Sequence, residues 1–353
     1  MRATLLVGFM SGALGVAVDA PAQPLRGRVE ARSVQAPGGH AVAFNVYLPE
    51  GYDGSTQRYP VIYHLHGLGG GPASSNLSVP RSFETAQTAG TIGPVIVVFP
   101  DSYEDAWWAD SVNSPKPAES DVLGVLMPHV DATLRTIPTP GARAVQGFSM
   151  GGFGATKFYS KFPGLFAACV EYDGAFMQWN VFSFLFPGTA DEIFDDSQTV
   201  YNQFSPWHWS SVNAAALRTL PPMRMVVGAL QSQNRSFRNH LQALQVPVNY
   251  VETTCGHDLD CLLAAQGQVT ASFIASHLDL TCPPSVCGGC DSIDFNGDGL
   301  FPDNQDLQDF LSVFGGGQCP TGSCADIDFN NDGLFPDNED VETYLRVFGG
   351  GDC

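Results

Sequence analysis

Residues 142–146 form a strand-like run that ends in Gly147-Phe148-Ser149-Met150-Gly151-Gly152, directly before a helix-like segment. A serine between glycines at a strand-to-helix junction restricts the backbone to one sharp turn, because only minimal side chains fit on either side of it. The turn stands Ser149 at the head of a helix. There the free N–H groups and the positive end of the helix dipole can stabilise an oxyanion. With 38 glycines in the chain, the G-x-S-x-G pattern alone has little weight, and its setting decides its meaning.

The setting is an alternation of strand and helix signals. Apolar runs fall at 61–65, 94–99, 142–146, 167–172, 223–227 and 248–251. Helical spacing of apolar residues marks 122–134 and 237–244. Continuous apolar strands alternating with helices predict an α/β domain, a mostly parallel sheet with helices on both faces. In such sheets chemistry gathers at the carboxyl ends of the strands. That rule selects the loop His66-Gly67-Leu68-Gly69-Gly70, then Asp101, Ser149, Asp173, Gln231 and His257.

A serine hydroxyl needs a base to accept its proton, and an imidazole does so near neutral pH. Of eight histidines, His257 alone sits in a short polar loop between the last strand and a final helix, as the chain order Ser, acid, His requires. His64 is inside a strand run, and His129, His240 and His277 lie on helical segments, where packed or surface histidines are usual. An oxyanion hole needs two N–H donors: that of Met150, after the serine, and one from the glycine-rich loop containing Leu68. Without the elbow, that loop would read as an ordinary turn.

These segments together resemble the esterase D / feruloyl esterase group, in the superfamily of the mycobacterial antigen 85 mycolyltransferases. The likeness is carried by His64-Leu65-His66-Gly67-Leu68-Gly69-Gly70, Val98-Phe99-Pro100-Asp101-Ser102, Gly147-Phe148-Ser149-Met150-Gly151-Gly152-Phe153-Gly154-Ala155 and Gly256-His257-Asp258, and spans most of 40–280. The resemblance implies an α/β-hydrolase fold and acyl transfer through a serine ester. Carried over by position, Ser149 is the nucleophile, His257 the base, and the Leu68 and Met150 amides the oxyanion hole.

One departure concerns the triad acid, which that group usually places just after the strand ending here in Val226-Val227-Gly228. The chain continues Ala229-Leu230-Gln231-Ser232-Gln233-Asn234, without a carboxylate. Asp173, after the preceding strand, is the candidate substitute, with a plain turn residue before glycine as the alternative. Gln231 or Gln233 orienting a neutral imidazole is a third option. Asp258 is adjacent in sequence to the histidine it would have to hold. Cys255 and Cys261 bracket His257 and either form a short disulfide or coincide by chance, and Cys169 reads as a buried thiol. Trp107, Trp108, Trp179, Trp207 and Trp209 follow strands, where they line a pocket or fill core.

Both ends of the chain carry further signals. Arg2, an apolar stretch to Val18 and Ala20-Pro21-Ala22 read as a signal peptide (1–22), with the apolar run too short and broken for a membrane anchor. Export, secreted or to the cell surface, agrees with nine cysteines. No other segment is apolar enough to span a membrane. A net charge of −20 without a basic patch argues against nucleic acid. From Val286 onward, 68 residues hold 14 acidic side chains against Arg346 alone.

That acidic part is a repeat. Residues 290–319 recur at 324–353, after a Pro/Gly linker (281–289) that follows the main domain (23–280). Each repeat opens with half of an EF-hand-type loop: Asp294, Asn296 and Asp298 before Gly299, and Asp328, Asn330 and Asp332 before Gly333. Leu300 and Leu334 take the backbone-carbonyl position, Asp306 and Asp340 close the loops, and Asp303 and Asp337 are additional ligands. Calcium is therefore the expected cofactor, one ion per repeat, with none needed for catalysis. The cysteines that recur with the repeat predict disulfides Cys290–Cys319 and Cys324–Cys353. The pair of repeats resembles a dockerin, which implies a small helical module and a cohesin-like scaffold partner. A later closing carboxylate and flanking cysteines depart from that pattern, and a calcium-stabilised appendage is the alternative. The expected whole is a secreted serine carboxyl-ester hydrolase acting on acetyl or feruloyl esters of polysaccharides. The alternatives are an acyltransferase and a catalytically weak binding protein on the same fold.

Overall fold

Side chains along the central strands alternate between two cores, one on each face of a sheet. In β3 (Val61–Leu65), Val61, Tyr63 and Leu65 join one buried cluster and Ile62 the other. In β4 (Ile96–Pro100), Ile96 and Val98 face the first side, Val97 and Phe99 the second. This is the period of two that a strand buried on both faces requires. The computed structural model describes residues 24–281, 293–298, 303–319, 324, 327, 329 and 338–349. The signal-peptide reading (1–22) and the linker beyond residue 281 lie outside them.

The remaining strands are β1 (Arg28–Gln35), β2 (Ala41–Leu48), β5 (Arg143–Phe148), β6 (Ala168–Tyr172), β7 (Met223–Val227) and β8 (Val248–Glu252). They form one eight-stranded sheet in the order β1-β2-β4-β3-β5-β6-β7-β8. Strands β3 to β8 run parallel, and β1 and β2 add an antiparallel edge beside β4. Helix Met150–Lys161 covers the first face through Phe153 and Phe158. Helices Ser78–Thr88 and Leu259–His277 pair over the second, burying Val79, Phe83, Leu262 and Ile274. This mostly parallel sheet, covered on both sides, is the expected α/β-hydrolase arrangement.

Two helix expectations are adjusted. The 122–134 pattern splits into a π-helical turn, Asp121–Leu126, and an α-helix, Met127–Thr133. Pro128 in the first turn of that α-helix has no N–H to give to the preceding turn, which favours a break there. The 237–244 pattern is the end of a longer helix, Gln231–Ala243.

In the acidic part, helices Asn304–Phe314 and Asn338–Phe348 occupy corresponding places in the two repeats. They share a small core of Ile293, Phe295, Phe310, Ile327, Phe329 and Tyr344. The rings of Phe310 and Tyr344 stack at 4.0 Å with 2° between planes. The disulfide expectation is corrected here: Cys319 bonds to Cys324, so neither Cys290–Cys319 nor Cys324–Cys353 forms. After helix Asn304–Phe314, the turn at Gly315 and Gly316 leads the chain to Cys319, whose Cα lies 5.7 Å from that of Cys324. The covalent link joins consecutive repeats instead of closing each one.

Candidate active site

β5 enters helix Met150–Lys161 through Ser149, whose φ of 58° and ψ of −117° make the sharp turn. The flanking glycines are required sterically. A Cβ on Gly147 would overlap the Gly151 carbonyl, and one on Gly151 would overlap that of Leu65. The turn is tied to the end of β6: the Ser149 N–H donates to Tyr172 O and the Ala175 N–H to Ser149 O, each at 3.0 Å.

Three side chains from three strand ends meet there. His257 Nε2 lies 2.8 Å from Ser149 Oγ, and its Nδ1 lies 2.7 Å from Asp173 Oδ2. Phe148 lies against the imidazole, ring centroids 4.6 Å apart, and the Cys255–Cys261 disulfide closes the loop that carries it. So short a loop gains only about 2 kcal/mol from closure entropy, and the effect here is to hold the base in place. Asp173 is fully buried, with φ 47°, a conformation aspartate tolerates better than most residues. Its carboxylate accepts from the N–H groups of Gly228, Ala229 and Leu230 at 2.9, 3.0 and 2.9 Å. The loop after β7 thus offers backbone donors where the resembled group has a carboxylate.

The other candidates for the acid are elsewhere. Gln231 accepts from Arg235, the hydrogen-bond partners of the imidazole are Asp173 and Ser149 and not Gln233, and Asp258 caps helix Leu259–His277 by accepting from the Cys261 N–H. Of the remaining histidines, His64 is core, with burial pushing it down to about 3. Cys169 is a buried free thiol. Trp107 and Trp108 are core side chains, while Trp179 and Trp207 line a cleft and Trp209 packs near Lys161.

Leu68 and Met150 flank the serine. A Cβ on Gly67, next to Leu68, would sit 3.3 Å from Ser149 Cβ, and Met150 opens the helix. Among the described backbone hydrogen bonds outside helices and strands, neither of these N–H groups has an acceptor. The glycine-rich loop, Ser74, Phe148 and His257 border a cleft of about 470 Å³.

His66 is named in the sequence reading but given no role there. It is buried, its Nε2 accepts from the Ser102 N–H at 3.2 Å, and its Nδ1 lies 2.8 Å from Gly67 O. An acceptor role for Nε2 places the ring proton on Nδ1, which donates to Gly67 O and fixes that peptide. The signal was the adjacency of this histidine to the glycine run.

Glu171, on β6 below the elbow, is fully buried, and burial holds its carboxyl well above the usual range. It accepts from the Gly174 N–H at 2.6 Å, bracing the turn that carries Asp173. Below about pH 4.5 both folded and unfolded chains keep this proton; above it the unfolded chain releases it first, so stability falls as pH rises toward the folded value. Glu171→Gln keeps an acceptor for Gly174 and removes the titration. Its melting temperature is therefore expected to decline less between about pH 5 and 8 than the wild type's. Parallel declines in scanning calorimetry would contradict this.

In the first acidic loop, the Asp298 N–H donates to Asp294 Oδ1 and Asn296 Oδ1, each at 3.0 Å. Asp303 and Asp306 form a capping box on helix Asn304–Phe314. Asp306 and Asp309 are buried, and Asp309 accepts from the Asn296 carboxamide at 3.3 Å. Asp309, one turn beyond Asp306, was not singled out in the sequence. Among the described residues no three His, Cys, Asp or Glu side chains form a preformed metal cluster. Asp340 is buried in its helix, and Leu300, Asp328, Asn330, Asp332, Leu334 and Asp337 lie outside the described residues.

Comparison with known proteins places this geometry in context. The family model Esterase matches residues 36–258. The esterase Rv1288 of Mycobacterium tuberculosis is 37% identical over 138 residues, which are 37% of this chain and 28% of that protein. The chain therefore spans little more than a quarter of the curated relative it matches. A ferulic acid esterase superimposes with a TM-score of 0.61 at 19% identity, covering 72% of this chain and all of the other. An S-formylglutathione hydrolase from Agrobacterium tumefaciens gives 0.61 at 16% identity, covering 73% and 98%. At these identities the structural likenesses show the fold alone.

Proposed function

Because this chain belongs to the Esterase family, we propose that it is a serine carboxyl-ester hydrolase working through an acyl-enzyme. The observation that carries the reading is the hydrogen-bonded chain Ser149–His257–Asp173, at 2.8 and 2.7 Å. His257 Nε2 takes the Ser149 proton as Oγ attacks the ester carbonyl. Asp173 keeps the other imidazole proton on Nδ1 and stabilises the imidazolium. The Leu68 and Met150 N–H groups receive the oxyanion. His257 then returns the proton to the departing alcohol, and a water activated by the same base releases the acid. The substrates we propose are acetyl or feruloyl esters of polysaccharides, as the sequence resemblance implies; one structural neighbour is a ferulic acid esterase. The test is a panel of acetylated, feruloylated and short-chain aryl esters alongside fluorophosphonate labelling. Absence of both turnover and label would overturn the proposal.

The Cys255–Cys261 disulfide suits an oxidising compartment and supports export. For the acidic repeats we propose calcium, with docking to a cohesin-like partner as their role. The donors fit a hard cation: all are oxygens, Asp306 and Asp309 are buried, and Arg346 is the only Lys or Arg from residue 286 onward. Asp294, Asn296, Asp298 and Asp306 would hold the ion, whose charge would offset carboxylate repulsion. Chelation is expected to lower the melting temperature of this part of the full chain and leave the Ser149 domain nearly unchanged. Identical calorimetric traces with chelator and with added calcium would remove the metal reading.

A further inference from the structure

A second cleft, of about 400 Å³, shares no lining residue with the first. Its walls include Trp179 and Trp207, and its rim carries the carboxamides of Gln178, Asn180, Gln198 and Asn202. No lining residue is charged, in a chain of net charge −20. Among the described residues, none of those four carboxamides has a hydrogen-bond partner in the protein, so their donors and acceptors remain available to a ligand.

Both indoles are packed against other rings. Trp179 packs on Tyr201 at 5.5 Å, and Trp207 meets Phe237 at 5.0 Å and His240 at 5.1 Å. Rigid, partly exposed aromatic faces beside a carboxamide rim suit a ligand with an apolar C–H face and an edge of neutral hydroxyls. The C–H face meets the negative face of the ring, and each carboxamide offers one acceptor and two donor hydrogens to neighbouring hydroxyls. An anionic chain would want cations here, and a lipid would want walls without amides.

Position ties the cleft to the reaction. Ala175 donates its N–H to Ser149 O, and Gln178 follows three residues later. Three residues span at most about 11 Å, which bounds how far Gln178 lies from the residue that holds the serine's backbone. We propose that this cleft binds a neutral oligosaccharide, the sugar chain flanking the ester that Ser149 attacks. The assignment rests on the ester-hydrolase reading for its purpose, although binding itself needs no chemistry.

The test separates the two. Titration calorimetry of the full chain with unesterified xylohexaose and mannohexaose is expected to show saturable binding of at least one. Trp179→Ala should weaken it at least tenfold, and so should Gln198→Ala, at an exposed residue, or Asn202→Ala, which keeps the test open if the tryptophan variant misfolds. In parallel, the ratio of kcat/KM on an acetylated xylohexaose to that on 4-nitrophenyl acetate should fall about tenfold in the variants. No binding of either sugar, binding unchanged by all three substitutions, or preference for an oligogalacturonate would overturn the cleft assignment. A wild-type chain that binds xylohexaose yet hydrolyses no ester would overturn the hydrolase reading alone.

Discussion

Ser149→Ala is expected to remove ester turnover, lowering kcat on a short-chain aryl ester by at least about 10⁴-fold. Fluorophosphonate labelling should vanish with it. The fold should not change. Alanine carries the same Cβ as serine, so it meets the φ of 58° with no new strain, and the hydroxyl it removes has His257 as its partner. The melting temperature should therefore stay within a few degrees of the wild type's. More than a trace of residual activity in a correctly folded variant would show that another group attacks the ester.

Asp173→Asn has the next largest expected effect, about a 10⁴-fold loss in kcat. The buried carboxylate faces only donors: three backbone N–H groups and the imidazole. Asparagine has one oxygen for these four and must turn its NH₂ toward some of them. Aimed at His257, the NH₂ forces the proton onto Nε2, where it can no longer take the serine's. Aimed at Gly228 to Leu230, it leaves buried donors unpaired, at about 1–3 kcal/mol. Both activity and melting temperature should fall, whereas Gln231→Ala and Gln233→Ala should leave the pH–rate profile in place. An Asp173→Asn enzyme with near-wild-type kcat would return the acid to the open question it is in the sequence.

Much of this fold is legible in the order of residues alone. The six parallel strands fall where the apolar runs are; for β3 to β7 this is because strands buried on both faces read as near-continuous apolar sequence, while β8 is a part-exposed edge strand. Ser149 and His257 are marked by local rules of turn chemistry and chain order. Of the antiparallel pair, β2 is itself largely apolar and buried and goes unread in the sequence, while β1 carries no such mark. β1 alternates Arg and Glu with small apolar residues, as an edge strand with one wet face does, and forms no continuous run. Asp173 can be named from the sequence but not chosen, since its partners are backbone amides from a loop 55 to 57 residues away. Backbone donors leave no trace in side-chain identity. The disulfide pairing fails for a related reason: an equal offset identifies equivalent cysteines, and equivalence does not say which sulfurs approach.

The acidic repeats recur at an offset of 34, and their shared core follows it. Ile293 corresponds to Ile327, Phe295 to Phe329 and Phe310 to Tyr344, so the stacked rings are the same position meeting its own copy. That is the self-complementary contact of a two-fold homodimer, folded into one polypeptide. A true dimer of this size would come apart on dilution, because its association depends on protomer concentration. With the halves joined through a short connection, the partner is always present at a high effective concentration, and the pairing no longer depends on how much protein there is. At the stacked pair a single atom breaks the symmetry. The hydroxyl of Tyr344 reaches Ile293 O at 3.4 Å, a bond Phe310 cannot return, so the two halves are chemically distinguishable to any molecule that meets them.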